Sequence, residues 1–508
     1  MATSHPHTGA FRTKPVERIL EQQSDDAASA EGSGGGLRKN LGAKDLMGFG
    51  IGIVIGTGIF TLTGIEAKNH AGPGVVVSFA VAGLVSLFAA LCYAEMASTV
   101  PTAGSAYTYA YATIGEVFAW IIGWDLILEF ALGAAVVARG WSGYLANLFH
   151  LPPDLFTEAA KVNIGAIGIT IVLGIVAMIG VKESARVTNT LVVVKVAVCL
   201  FVVVAGLFFV RSANLTPFIP TARPVSADTS GIKQPLSQAL FGIQPTAFGF
   251  AGVLTAAAVV FFAYTGFEAV ANMGEETRNP KKDLPLGLLG TLGICTVLYI
   301  SVSFVITGMQ SYTQISESAP IAGAFDSVGL GWASALISVA AVCGLTSVIL
   351  VDIVAMGRIG FAMGRDNLLP PSVAAIHPRW GTPWKITIAT IVLVCLLGGL
   401  VPLAALADMV SIGTLFAFVV VSIAVPIMRH RRPELERPFR VPFSPVIPVV
   451  SALACVYLMT NLSLETWLRF VVWMALGFLI YFSYGKRNAS IQTWEAHSPQ
   501  DVRPAKTL

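Results

Sequence analysis

Two short stretches decide the fold: Ile55-Gly56-Thr57-Gly58-Ile59-Phe60 and Phe261-Phe262-Ala263-Tyr264-Thr265-Gly266-Phe267-Glu268. Each sits near the middle of an apolar run, at 46–66 and 251–273, long enough to cross a hydrocarbon core of roughly 30 Å. A glycine costs about 1 kcal/mol in a helix interior, so Gly48, Gly50, Gly52, Gly56 and Gly58 in one run point to an interruption. Small residues also permit close packing between membrane helices, so this cluster alone leaves both readings open. The second stretch favours the interruption, because it places Gly266 and Glu268 at membrane depth. Interrupted segments at matching positions of two five-helix halves point to a transporter built as an inverted repeat. No letter-for-letter repeat joins 46–211 to 251–428, so the symmetry is expected from topology alone.

An interruption supplies chemistry without side chains. A half-helix starting near Gly58 presents free N–H groups and about half a positive charge, which suits a carboxylate. Half-helices ending near Val54 and Phe262 present free carbonyls, which suit an ammonium group. A free α-amino acid carries both groups on one carbon. The backbone is therefore expected to recognise the head group whatever the side chain.

The rest of the chain agrees with a membrane setting. Of 508 residues, 55% are hydrophobic and 12% charged, against about 25% charged in a soluble domain. Mean hydropathy is +0.73. Those values exclude a soluble enzyme and a disordered scaffold, and a net charge of +3 gives no reason to expect a nucleic-acid partner. Apolar runs fall near 46–66, 75–98, 114–146, 163–181, 187–211, 251–273, 285–308, 328–356, 386–403, 405–428, 444–460 and 465–484. They lack the alternation of barrel strands, so they are expected to be helices. This predicts an all-α integral membrane protein with twelve transmembrane helices. With the N-terminal segment placed inside, 24 of the 32 Lys and Arg residues lie in cytoplasmic segments and six outside, the bias of a chain with both ends in the cytoplasm. Residues 1–40, ending in Gly32-Ser33-Gly34-Gly35-Gly36, read as a flexible tail without a cleavable signal peptide. Residues 41–485 form the transmembrane domain and 486–508 a second cytoplasmic tail.

Three motifs carry a family resemblance. Ile55-Gly56-Thr57-Gly58-Ile59-Phe60 resembles the GTGIF signature of the amino acid–polyamine–organocation superfamily. Phe262-Ala263-Tyr264-Thr265-Gly266-Phe267-Glu268, followed by Glu275-Glu276-Thr277-Arg278-Asn279-Pro280, resembles its sixth-helix motif and the turn after it. Arg358-Ile359-Gly360-Phe361-Ala362-Met363-Gly364-Arg365-Asp366-Asn367-Leu368-Leu369-Pro370 resembles the stretch after helix eight. The nearest resemblance is to the bacterial cationic amino acid transporter family, over about 41–485, whose bacterial members often carry neutral amino acids. It implies a LeuT-like five-plus-five inverted repeat plus two C-terminal helices. It also implies L-amino acid uptake across the cell membrane by alternating access, with a proton as coupling ion and no other cofactor. Carried over by position, Thr57 and Gly58 would hold the substrate carboxylate, and Gly56 is counted with them in the substrate site. The carbonyls of Val54, Phe262, Ala263 and Thr265 would hold the amine, and the Phe262 ring would gate the site.

Ionisable residues inside apolar runs are expensive and call for a reason. Lys195 in the fifth run is expected to face the bundle interior. It either braces helices one, five and eight or carries the coupling proton, and the family has a lysine at the matching position. Glu129 lies midway along the third run with Asp125 one turn earlier on the same face, and is read as a pocket or proton-path residue or a structural hydrogen-bond partner. Glu268 either binds a cationic substrate side chain or ties down unwound backbone. Arg139 is expected to snorkel outward, and Asp352 to pair with Arg358. Leu345 and Val348 are placed in the side-chain pocket, where their apolar character suits a neutral substrate. The alternative reading is an amino acid or polyamine exchanger on the same scaffold. No enzyme motif such as HExxH occurs, and the six cysteines stand singly with no metal-ligand spacing.

Overall fold

The computed structural model describes residues 41–489, apart from 102–104, 180–184, 225–230, 243–245, 374, 378, 379 and 381. The tail expected over 1–40 lies outside the described residues, as does the second tail beyond the short helix Lys486–Asn488.

The bundle is helical throughout, and a helix occupies every one of the apolar runs. In chain order these are α1 (Ala43–Val54), α2 (Val75–Thr99), α3 (Ser105–Thr113), α4 (Glu116–Phe149), α5 (Ile164–Ile179), α6 (Ala185–Leu207) and α7 (Gly249–Val260). There follow α8 (Pro280–Met309), α9 (Pro320–Ser327), α10 (Gly331–Arg365), α11 (Trp384–Leu400), α12 (Leu403–Arg431), α13 (Val446–Thr460) and α14 (Leu464–Ile480). Among the described residues, eight helical stretches are long and apolar enough to cross a membrane, and α5, α11 and α13 are shorter apolar helices. A two-residue strand pair, Arg223–Pro224 with Thr246–Ala247, pins the loop between α6 and α7.

Hydrocarbon solvent explains the surface. Val172, Val193, Val204, Leu396, Leu453 and Leu479 face outward and exposed on their helices, where they need a lipid rather than an aqueous neighbour. The interior is built around the long pair α4 and α10, with α8 lying along α1 and α2, and α12 against α4.

Both expected interruptions are present. The chain leaves α1 at Ile55, where φ is −74° and ψ is 91°, an extended conformation that ends the helix. It rewinds from Gly58 in wide π turns, Gly58–Leu62 and Ala67–Ala71, flanking the α-helical turn Thr63–Glu66. Beyond α7, Phe261–Tyr264 tightens into 3₁₀ turns, Thr265 is extended (φ −64°, ψ 149°) and Gly266 takes φ +99°. That φ lies where an L side chain is strained, so glycine is the residue for the position. The second half, Phe267–Glu276, stays 3₁₀ instead of returning to an α-helix. Two interior segments were not expected from the apolar runs: α3, with Tyr107, Tyr109 and Tyr111 buried, and α9.

The two interruptions touch. A Cβ on Gly58 would stand 2.4 Å from Cα of Ala263, and one on Gly266 would stand 2.5 Å from Cγ2 of Ile53. Glycine on each strand of the crossing lets the two unwound backbones meet.

Candidate functional site

A cavity opens beside that crossing. Its walls come from both interruptions, from α4, and from α10 and α12. Val54, Gly56, Thr57, Gly58, Phe262, Thr265, Glu268, Glu129 and Val348 all line it. These are nine of the residues singled out from sequence.

Chain geometry sets what each backbone group has left to offer. Gly56 has room for a methyl group, since the nearest atoms to where its Cβ would stand, on Ile53 and Val348, are at 3.8 Å and beyond. Past it, the Phe60 N–H takes the Gly56 carbonyl at 3.4 Å, so only amides earlier than Phe60 are left for a ligand to meet at this helix start. The Thr57 hydroxyl is buried and has no hydrogen-bond partner among the described residues. The Thr57 side chain packs on Gly140 of α4, so the start of the half-helix, more than this hydroxyl, is what suits an anionic oxygen. The carbonyls are more committed than the sequence suggested. Tyr299 Oη donates to the Val54 carbonyl at 2.6 Å. The Phe262 carbonyl accepts from both the N–H and the hydroxyl of Thr265, at 3.1 and 2.8 Å. The Phe262 ring, buried and lining the cavity, remains its main contribution.

Glu268 lines the cavity and also meets the unwound backbone. Both of its oxygens accept the Gly266 N–H, at 3.0 Å each. Its carboxyl thus restrains the backbone that the positive φ leaves without helix bonds. Glu129 and Asp352 face the same cavity from α4 and α10.

Four positions differ from expectation. Asp352 is not an inner-end partner of Arg358: Asp352 is buried against Gly133 and lines the cavity, while Arg358 is exposed. Leu345 is wholly buried and does not line the cavity, because the 35-residue α10 runs unbroken and turns Val348 inward in its place. Ala263 sits behind the wall at the Gly58 crossing. Arg139 does not snorkel; its guanidinium is buried, donating to Glu158 at 2.7 Å and to the Gly398 carbonyl at 3.2 Å.

Lys195 is also outside the cavity wall. Its Nζ donates to the Gly52 carbonyl at 2.6 Å, and its stem packs on Gly344, so it joins α1, α6 and α10. The sequence reading missed Phe130, Val137 and Val410 as lining residues. Val137 was reachable, since Glu129, Gly133 and Val137 recur every four residues on one helix face. Val410 had no local signal.

A sequence profile of the amino acid permease family matches residues 41–482. The chain is 41% identical over 494 residues to the branched-chain amino acid permease BcaP of Bacillus subtilis (strain 168), covering 95% of this chain and 98% of that protein. It is 40% identical over 489 residues to the methylthioribose transporter of the same organism, covering 94% and 98%. Cationic amino acid transporter 1 of Arabidopsis thaliana is 34% identical over 428 residues, covering 83% of this chain and 67% of that one. With the cavity between two broken helices and the apolar shell, this match shows that the chain is a multi-pass membrane transporter belonging to the amino acid permeases of the amino acid–polyamine–organocation superfamily.

Proposed function

We propose that the protein imports an L-amino acid with a neutral aliphatic side chain across the cell membrane, by proton symport and alternating access. The reading takes the chain as twelve crossings with both ends inside, folded as two inverted five-helix halves and two further helices. Thr57 and the first amides of the rewound half-helix would receive the substrate carboxylate. The amine would lie towards Thr265 and the Phe262 ring, within reach of the carboxyls of Glu129 and Asp352. The side chain would fill the space between Val137, Val348 and Val410. Lys195, bonded to the end of α1 from outside the cavity, would link proton occupancy to the movement of that half-helix.

One observation carries the choice of a neutral side chain. The remaining walls are apolar, and Glu268, the carboxyl nearest the second interruption, is spent on Gly266. The names of the two Bacillus relatives, for a branched-chain amino acid and for methylthioribose, fit an uncharged pocket. Glu129 and Asp352 favour a second reading, a cationic amino acid or polyamine.

A thermal-shift screen of the purified protein against the twenty amino acids and common polyamines, at two pH values, separates the two. The first reading expects leucine, isoleucine or valine to give the largest stabilisation. Equal or greater stabilisation by lysine, arginine or spermidine would replace it with the second.

A further inference from the structure

Below Glu129 lies a carboxyl with no visible task. Asp125 is one helical turn earlier on α4, wholly buried, and neither of its oxygens has a hydrogen-bond partner among the described residues. The space it occupies is left open by α12: a Cβ on Gly413 would stand 2.8 Å from Asp125 Oδ1. The next residue, Thr414, has a hydroxyl that is likewise buried and unpartnered. Tyr93 of α2 lies within electrostatic reach of both Asp125 and Glu129. Its ring meets that of Tyr109 on α3 at 6.4 Å, and the Tyr109 hydroxyl is a third buried group without a partner. Asp125, Thr414 and Tyr109 are three of the few buried polar side chains without a hydrogen-bond partner among the described residues.

A native interior seldom leaves polar atoms unpaired without reason. An anion with neither donor nor cation beside it is among the costliest groups to bury. The titratable groups around Asp125 are Glu129 on its own helix and Tyr93 from α2, with Glu268 and Asp352 beyond Glu129; α12 contributes only Gly413 and Thr414. None is a cation. Lys195 is bonded to Gly52 and acts on Asp352. No cation stands beside Asp125 among the described residues.

We propose that Asp125 is a relay residue that carries the coupling proton from Glu129 in the cavity towards the cytoplasmic face. This rests on the proton-symport reading above. When the inner side opens, the Asp125 O–H bond breaks and its proton passes to cytoplasmic water. The O–H bond re-forms as the Glu129 carboxyl hands on its proton, and Glu129 is recharged from outside with the next substrate. One proton crosses per cycle and both residues end as they began.

The test uses the full chain in proteoliposomes with two assays. Counterflow of labelled substrate without a gradient reads binding and access; uptake under an inward proton gradient reads coupling. Wild-type protein that shows counterflow but no proton-driven accumulation removes the symport reading itself. If the wild type is coupled, Asp125→Asn is expected to keep counterflow and lose proton-driven accumulation. Accumulation equal to wild type in Asp125→Asn overturns the relay. If Asp125→Asn does not fold, Asp125→Glu decides: a displaced pH profile of driven uptake with unchanged counterflow supports the relay, and a superimposable profile overturns it.

Discussion

Gly58 and Gly56 are two residues apart and have opposite reasons to be small. At Gly58 a methyl group would collide with the Ala263 backbone at 2.4 Å, and backbone cannot rotate aside. Gly58→Ala should cost about 1–3 kcal/mol through overpacking and push the interruptions apart, lowering both melting temperature and uptake. At Gly56 the nearest atoms stand 3.8 Å and beyond. Gly56→Ala should therefore fold with an unchanged melting temperature and fill cavity space, so that uptake of leucine falls more than uptake of alanine. Matching melting curves and matching substrate profiles for the two variants would show that the crossing has been misplaced. Glu95 shows the same logic in a structural role. It accepts from Arg429 Nε at 2.8 Å and Nη2 at 2.5 Å and from the Val441 N–H at 2.7 Å, holding α2 to the segment after α12. Because Arg429 stays partly exposed, Glu95→Ala should cost about 2–3 kcal/mol, read as a lower melting temperature with substrate-induced stabilisation retained.

At the scale of elements, the interruptions were legible because glycine and a buried carboxylate are unusual inside an apolar run. Their placing at Ile55–Gly56 and Thr265–Gly266 follows those letters. The use made of the freed carbonyls was not legible: Tyr299, which takes the Val54 carbonyl, lies on α8, 245 residues away in sequence. Asp352 escaped for a related reason. A local reading pairs it with the arginine six residues on, whereas α10 is one straight helix whose rotation is set by its packing on α4. The 3₁₀ winding of Phe267–Glu276 was not legible, since Phe267, Val270 and Ala271 recur at a spacing that suits an α-helix equally well. Lys195 is itself a cation bracing the end of α1, with its Nζ on the Gly52 carbonyl. Uptake should thus be indifferent to replacing sodium by choline at constant pH, and should rise as the external pH is lowered. Loss of uptake on sodium removal alone would give the brace to a metal ion.

For the molecule as a whole, the proposed insertion with both ends inside rests on twelve apolar runs and on the four-to-one excess of Lys and Arg that it would place in the cytoplasm. Cysteine labelling at the two termini in sealed cells should find them both inaccessible from outside. The interior clamps, Arg139 to Glu158 and Glu95 to Arg429, lie at opposite ends of this bundle and leave the waist between them to the cavity. That waist is the proposed place of head-group recognition, with the carboxylate at the rewound half-helix and the amine beside Thr265, Glu129 and Asp352. The direct test is competition against labelled leucine counterflow by leucine, by 4-methylpentanoate, which lacks the amine, and by isoamylamine, which lacks the carboxylate. Each missing charged group removes charge-assisted bonds worth about 1.5–3 kcal/mol apiece, so both analogues should compete roughly a hundredfold more weakly than leucine. Either analogue competing as well as leucine would contradict recognition of the zwitterion at the two broken helices.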